Sequence, residues 1–222
     1  MDYEKARERM VHHQIRGRGV DDPRLLEAMQ RVRRERFVDE QFRSLAYRDG
    51  PIPIGHGQTI SQPYVVALMT IALEVKPGDR ILEVGTGSGY QAAVLAEMEA
   101  KVFTIERHDD LANRARQVLE ENGYGNLRVI SGDGSKGLPE EAPFDGILVT
   151  AAGPTIPTPL LEQLSPGSHL VIPIEEKPGR QKLTRITRRT DGRYDRSDLG
   201  DVAFVPLIGE EGWEEGHESY WQ

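Results

Sequence analysis

Apolar positions fall into three regimes along the chain. Over residues 3–16 polar and charged side chains dominate, with Met10, Val11 and Ile15 on one side. Asp22-Pro23 then gives a cap and first-turn signal for a helix carrying Leu25, Leu26, Met29 and Val32. Residues 1–75 therefore read as a helical N-terminal region. One stretch interrupts it, residues 49–58, whose glycines and prolines suit neither a helix nor a central strand and predict an irregular surface loop. After Thr59-Ile60-Ser61-Gln62-Pro63, the residues Val65, Leu68, Met69 and Ala72 recur at helical spacing through 64–73, with Ser61 placed as N-cap and Pro63 in the first turn.

From Lys76 the pattern changes to short apolar runs at 80–84, 102–106, 127–130, 144–149 and 170–174, with helical patterns at 90–98 and 111–121 between the first of them. Short apolar strands alternating with helices imply crossover connections and a parallel sheet covered on both faces. The expected fold class is α/β, doubly wound around a mostly parallel sheet. Beyond Pro178 two further runs of strand character, 182–188 and 202–207, have no helix between them and predict an antiparallel edge. The chain reads as one domain over 1–222, divided into the helical region 1–75, an α/β core 76–175 and C-terminal strands and tail 176–222. An acidic, glycine-containing segment at 210–218 either covers the body or frays.

Composition narrows the chemistry. The 222 residues are 37% hydrophobic and 29% charged, as in a globular protein that folds in water. With no cysteine, thiolate nucleophiles, disulfides and cysteine-based zinc sites are excluded. The longest apolar stretch, near 65–73, is too short to span a bilayer, and Met1-Asp2-Tyr3-Glu4-Lys5 lacks the start of a secretory signal, so a cytoplasmic protein without a membrane partner is expected. A net charge of −8 argues against nucleic acid as the main partner. The mixed-sign run Arg31-Val32-Arg33-Arg34-Glu35-Arg36 reads as a solvated helix face and receives no function.

The strongest local feature is Glu83-Val84-Gly85-Thr86-Gly87-Ser88-Gly89-Tyr90, a glycine turn between the first core strand and its helix. Such a turn lies at the carboxyl edge of the sheet, where open α/β folds bind ligands against bare backbone amides. Its spacing is one residue short of the dinucleotide fingerprint before the third glycine, which suits a nucleoside ligand without a pyrophosphate. S-adenosyl-L-methionine meets that description. Glu83 suits its ammonium end, Glu106 at the end of the next strand suits the ribose hydroxyls, and Asp133-Gly134 after the third strand can reach the adenine amino group. After the fourth strand, Thr150-Ala151-Ala152-Gly153-Pro154 carries no clamp for a nitrogen acceptor, leaving an oxygen acceptor or a small molecule.

The segment Pro51-Ile52-Pro53-Ile54-Gly55-His56-Gly57-Gln58-Thr59-Ile60-Ser61-Gln62-Pro63 adds specificity. Together with the glycine turn, Gly132-Asp133-Gly134, Ala142-Pro143-Phe144-Asp145, Pro166-Gly167 and Phe204-Val205-Pro206-Leu207, it resembles the protein-L-isoaspartate O-methyltransferase family from about Met10 to Trp213. The resemblance implies a fold of the S-adenosylmethionine-dependent methyltransferase type. It also implies a repair enzyme that methylates the free α-carboxylate of isoaspartyl residues in damaged proteins and peptides and yields S-adenosyl-L-homocysteine. The ester then closes to a succinimide without the enzyme. Carried onto this chain, Ser61 is the catalytic position. Gln58, Thr59, Ile60, Glu83, Gly85, Gly87, Gly89, Glu106, Asp133 and Gly134 hold the cofactor, and Ile54, His56 and Ser61 meet the substrate. No metal is implied, and a monomer is expected. The competing readings are an O-methyltransferase acting on a small molecule, an NAD-dependent oxidoreductase on a similar sheet, and a non-catalytic S-adenosylmethionine-binding module. A carboxylate acceptor with a pKa near about 4 is ionised at neutral pH, so the chemistry needs alignment rather than a base.

Overall fold

The computed structural model describes residues 1–217, and its N-terminal third is helical for the reasons legible in the sequence. Helix α1 (Tyr3–Arg9) begins where the Asp2 carboxylate accepts from the Lys5 amide at 3.1 Å, and it continues into a π-helical turn, Met10–Ile15, that buries both end residues. Helix α2 (Pro23–Arg31) is capped by Asp22, which accepts from the Leu25 N–H at 2.9 Å, and Pro23 occupies the first turn.

Three local expectations require correction. The stretch 49–58 holds a hairpin rather than an irregular loop: β1 (Ile52–Gly55) pairs antiparallel with β2 (Gln58–Ile60). Ile52 and Ile54 point inward while Pro53 and Gly55 are exposed, so a period-two pattern was present behind the prolines. Pro53 is tolerated because the ribbon has only two strands and slips register between Pro53 and Gly55. His56 (φ 51°) and Gly57 (φ 68°) both take the left-handed backbone that a tight hairpin turn requires. Ser61 is not the N-cap of α3 (Pro63–Ala72). Pro63 holds the first helical position and forces Gln62 into extended backbone as the cap, leaving Ser61 one residue outside the helix. Lastly, the run 31–36 is not uniformly solvated. Arg31, Arg33 and Arg36 are exposed, but a 3₁₀ turn, Arg34–Phe37, folds Arg34 and Glu35 into the interior.

The core sheet follows as β3 (Arg80–Val84), β4 (Lys101–Glu106), β5 (Arg128–Ser131), β6 (Phe144–Val149), β7 (Leu164–Lys177), β8 (Arg180–Arg188) and β9 (Tyr194–Val202). Between these strands lie α4 (Tyr90–Glu97), α5 (Asp109–Glu121) and the short α6 (Thr158–Glu162). The seven strands run in the order β5-β4-β3-β6-β7-β8-β9, parallel from β5 through β7 and antiparallel thereafter. Alternate residues feed two cores. Ile81, Val102, Leu148 and Val171 face the N-terminal helices with α3 and α4, while Leu82, Phe103, Ile147 and Leu170 face the other side.

Two strands differ from expectation. β7 starts at Leu164, six residues before the apolar run, because its first part pairs across a bulge between Phe144 and Gly146. The run 202–207 is not the edge strand. β9 lies upstream, with mostly exposed residues that carry no alternation, and 203–207 leaves the sheet toward β6. There the Ala152 N–H donates to the Val205 carbonyl and the Leu207 N–H to the Ala152 carbonyl, both at 2.8 Å.

Candidate active site

The chain runs outward from β3 to β4 and β5, then returns to β6 on the other side of β3, so the strand order reverses beside β3. At the carboxyl ends of these strands opens a cleft, where open α/β sheets place their ligands. One wall comes from the Gly85–Ser88 turn with Glu83, Glu106 and Gly134. The other comes from Gln58, Thr59, Ile60 and Ser61, from Thr150 and Ala151, and from residues 205–208.

The turn is shaped by close approach as well as by backbone angle. Gly85 (φ 97°) lies so near Thr150 that a Cβ there would fall 2.3 Å from the Thr150 Oγ1, which donates to the Gly85 carbonyl at 2.7 Å. At Gly134 a Cβ would fall 2.5 Å from Val84 Cγ1. Gly89 is not on the cleft wall. It starts α4 against Leu119, and a Cβ there would press on that side chain at 3.1 Å.

Two carboxylates sit in the wall. Glu106 is 4% exposed, and its Oε2 accepts from the Gly87 N–H at 2.9 Å while its Oε1 accepts from the His108 N–H at 3.1 Å. A carboxylate offers about four acceptor positions, so each oxygen retains one. Glu83 is fully buried. Its Oε2 accepts from the Thr104 hydroxyl at 2.5 Å, the Thr104 and Thr86 hydroxyls lie 2.7 Å apart, and Oε1 has no partner. Burial pushes the Glu83 carboxyl up to about 8; the Thr104 hydrogen bond opposes this and the charge of Glu106 adds to it. A buried carboxylate oxygen without a donor, on the wall of a cleft, fits a cationic ligand group such as an ammonium. The residues present thus fit a nucleoside bearing a charged amino-acid tail.

Asp133 is not among the residues that line the cleft, and its carboxylate is bonded to neighbouring segments. Its Oδ1 accepts from the Ser135 amide at 2.9 Å and hydroxyl at 2.7 Å, and its Oδ2 accepts from the Glu210 N–H at 2.9 Å. Burial works against ionisation here, but the Ser135 and Glu210 hydrogen bonds hold Asp133 below the usual carboxylate value. The acidic C-terminal segment thereby folds back as a strap. Lys136 pairs with Glu210 at 2.6 Å, the Trp213 indole donates to the Ala152 carbonyl at 3.1 Å, and Arg107 meets Glu215 at 3.2 Å. Residues 210–217 therefore cover the body, and Glu218 lies outside the described residues.

Ser61 faces both the cleft and a neighbouring hollow lined by Pro51, Gln62 and residues 201–205. Its carbonyl accepts from the Arg34 guanidinium at 2.6 Å. Ile54 is 1% exposed and supports the site from behind: its Cδ1 would lie 3.4 Å from a Cβ at Gly87, and its carbonyl accepts from Arg114. His56 stands at the hairpin tip, 3.5 Å from Asp110 and with its ring 4.9 Å from that of His108. Neither Ile54 nor His56 lines the cleft. Lining residues given no role from the sequence include Val66, Met69, Gln91, Ile105, Arg107, Thr150 with Ala151, and 205–208. For the last group the signal was an apolar run with no helix beside it, read instead as a strand.

A family model described as protein-L-isoaspartate(D-aspartate) O-methyltransferase matches residues 5–212. A protein-L-isoaspartate O-methyltransferase of Brucella anthropi is 50% identical over 212 residues, covering 96% of this chain and 97% of its own. One from Syntrophus aciditrophicus is 53% identical over 215 residues, covering 95% and 97%. Among solved structures, a putative protein-L-isoaspartate O-methyltransferase from Plasmodium falciparum in complex with S-adenosyl-L-homocysteine superposes with a TM-score of 0.80 at 30% identity, covering 94% of this chain and 99% of that one. A second structure, called protein-L-isoaspartate O-methyltransferase, gives a TM-score of 0.84 at 28% identity over 93% of this chain and 67% of that one.

Proposed function

The chain belongs to the protein-L-isoaspartate O-methyltransferase family, and from that premise we propose how its cleft divides the work of the reaction. The enzyme methylates the free α-carboxylate of L-isoaspartyl residues in damaged proteins and peptides, with S-adenosyl-L-methionine as donor and S-adenosyl-L-homocysteine as product. The donor, when bound, supplies a methyl group activated by a sulfonium that becomes a neutral thioether as the new C–O bond forms. Glu83 takes the ammonium through its unpartnered Oε1, and Glu106 takes the ribose hydroxyls with its two remaining acceptor positions. Gly85, Gly87 and Gly134 keep the wall bare enough for the ligand to lie against backbone, and Gln58, Thr59 and Ile60 close over it. Gly89 and Asp133 act indirectly, one by seating α4 on Leu119 and the other by tying down the C-terminal strap.

Ser61 is the residue that meets the acceptor. Its hydroxyl orients a carboxylate that is already ionised, so no general base is needed, and holding the reacting atoms in line while excluding water supplies most of the rate gain. Ile54 and His56 shape the hairpin that carries this wall. The observation that carries the reading is the meeting of Ser61 with the buried Glu83 and Glu106 carboxylates in one cleft. The small-molecule, dehydrogenase and binding-module readings are set aside by the family to which the chain belongs. The proposal includes a monomer, since the large exposed apolar side chains among the described residues are Met1 and Tyr194. It also includes a cytoplasmic location, consistent with a chain that has no cysteine.

The test uses two peptides of one composition, with aspartate or isoaspartate at a central Asp-Gly step, and counts labelled methyl groups. The two carboxylates differ in reach by about 1.5 Å, one carbon–carbon bond. A misplacement of about 1 Å costs on the order of 100-fold where alignment does the catalysis, so the isoaspartyl peptide should be labelled and the normal peptide scarcely at all. Equal labelling of both would overturn the reading.

A further inference from the structure

We infer that Arg34 is a positioning residue for methyl transfer, acting through Ser61; the inference rests on the reading of Ser61 given above. Arg34 is 0% exposed and lies against the apolar core, and among the described residues no carboxylate forms an ion pair with it. Its charge is met by two carbonyls and one aromatic face. The Nε donates to the Ala46 carbonyl at 2.7 Å, one terminal nitrogen donates to the Ser61 carbonyl at 2.6 Å, and the guanidinium carbon sits 4.7 Å from the centre of the Tyr90 ring. Burying a cation carries a desolvation cost that an apolar side chain of similar volume would not incur. A cation placed there therefore needs an account in terms of what it holds.

What it holds is the join between the two walls. Ser61 lies past Ile60, the last paired residue of β2, and before Pro63, the first of α3, so neither the ladder nor the helix fixes its backbone. Tyr90 directly follows the glycine turn and also lines the cleft. One rigid guanidinium thus sets the height of the Ser61 backbone relative to the turn. Its planar fork presents donors in fixed directions, which a lysine ammonium on a flexible stem does not reproduce. Displacing the Ser61 carbonyl moves the hydroxyl on the same residue, and a shift of about 1 Å in an aligning group costs on the order of 100-fold.

The experiment is a double-mutant cycle in the full chain. Arg34→Lys, Arg34→Met, Ser61→Ala and the doubles are assayed for kcat and KM on an isoaspartyl peptide, and for the dissociation constant of S-adenosyl-L-homocysteine, below every melting temperature. Arg36→Met in the same run, an exposed position, is the control. We expect Arg34→Lys to lower kcat about 10- to 100-fold with cofactor affinity within about twofold of the parent. Adding it to Ser61→Ala should cost less than about threefold more, because the group it positions is already gone. If Arg34→Lys does not fold, Arg34→Met, which buries no charge, answers the same question. Effects that multiply across the cycle overturn the inference while leaving Ser61 in place. A lower melting temperature with unchanged kcat overturns it as well, since Arg34 would then only support the fold. A Ser61→Ala variant with full kcat removes both the Ser61 reading and the inference, and is recognised by that single variant.

Discussion

The two walls of the cleft are built in opposite ways. The cofactor wall is nearly continuous in sequence: Glu83 to Tyr90 form one strand end, one turn and one helix start, and Glu106 is bound to that turn by the Gly87 amide. The acceptor wall is assembled from β2, from Thr150 and Ala151 after β6, and from residues 205–208, which meet only in the folded chain. Its parts are joined by single ties: Arg34 to Ser61, Ala152 to Val205, Leu207 and Trp213, and Asp133 to Glu210. A wall set by adjacent backbone stereochemistry is fixed as soon as the sheet forms. A wall set by scattered ties depends on each of them, so the loss of one displaces the residues it holds.

That difference predicts the largest effect. Gly85→Ala puts a methyl 2.3 Å from Thr150 Oγ1 at a φ of 97°, so both overlap and backbone strain oppose it. Gly55 in the acceptor hairpin has nearly the same φ, 96°, but nothing within 4 Å of its missing Cβ. We expect Gly85→Ala to abolish folding or to weaken S-adenosyl-L-homocysteine binding more than about 100-fold. Gly55→Ala should cost only the backbone term of about 1–2 kcal/mol and leave binding intact. Melting temperature and cofactor titration on both variants check this, and equal losses would mean that the walls do not differ as described.

The next effect is confined to the cofactor wall. Glu106→Ala removes the acceptor held by the Gly87 and His108 amides, and losing hydrogen bonds to a charged group costs roughly 1.5–3 kcal/mol, or about 10- to 100-fold in affinity. Calorimetry with S-adenosyl-L-homocysteine should find that loss with the circular dichroism spectrum unchanged. An unaltered dissociation constant would take Glu106 out of the site.

The contrast also explains what could be read from the sequence. The strands at 80–84 and 144–149 and the glycine turn were legible because local propensity, apolar runs and turn chemistry agree there. Glu83 and Glu106 followed from their places beside that turn. The hairpin at 52–60 was not legible, because two prolines and two glycines over 51–57 masked a period-two pattern that Ile52 and Ile54 carry. Arg34 was hidden among exposed arginines of the same type, since nothing in a charge run marks which member turns inward. Edge strand β9 lacks an apolar face, so the apolar residues after it took its place in the reading. The missed elements lie in or beside the acceptor wall, where tertiary contacts override local signals.

A smaller, pH-dependent effect follows from Glu83. In the cofactor-free enzyme burial keeps this carboxyl protonated up to about 8. An ammonium brought to Oε1 favours the ionised form and releases the proton. Affinity for S-adenosyl-L-homocysteine should therefore rise with pH below about 8, by at most about tenfold per unit, and level off above it. Stability runs the other way. The folded value lies above the ordinary 4.5, so the contribution of neutral Glu83 is complete below that value and is lost as pH rises through about 8. Calorimetry in two buffers of different ionisation enthalpy should detect proton release at pH 7, and Glu83→Gln should abolish it. Release that persists in Glu83→Gln would assign the proton to another group.

The smallest effect concerns Asp133, which the sequence places at the adenine and the structure ties to the strap. Its Oδ2 accepts from the Glu210 amide, while Oδ1 serves Ser135. In Asp133→Asn the side-chain oxygen can keep the Ser135 bonds, but the amide nitrogen then faces the Glu210 N–H, donor against donor. Loss of one such bond costs about 1 kcal/mol, and the strap from Gly209 to Trp213 should open more often. Backbone amides there should exchange faster, and the dissociation rate of S-adenosyl-L-homocysteine should rise a fewfold, with little change in kcat at saturating donor. A residue bonded directly to adenine would behave differently, losing about tenfold or more in affinity while exchange in the strap stayed at the parent rate. Hydrogen exchange and cofactor release measured on one preparation therefore decide whether Asp133 belongs to the local wall or to the ties that hold the assembled one.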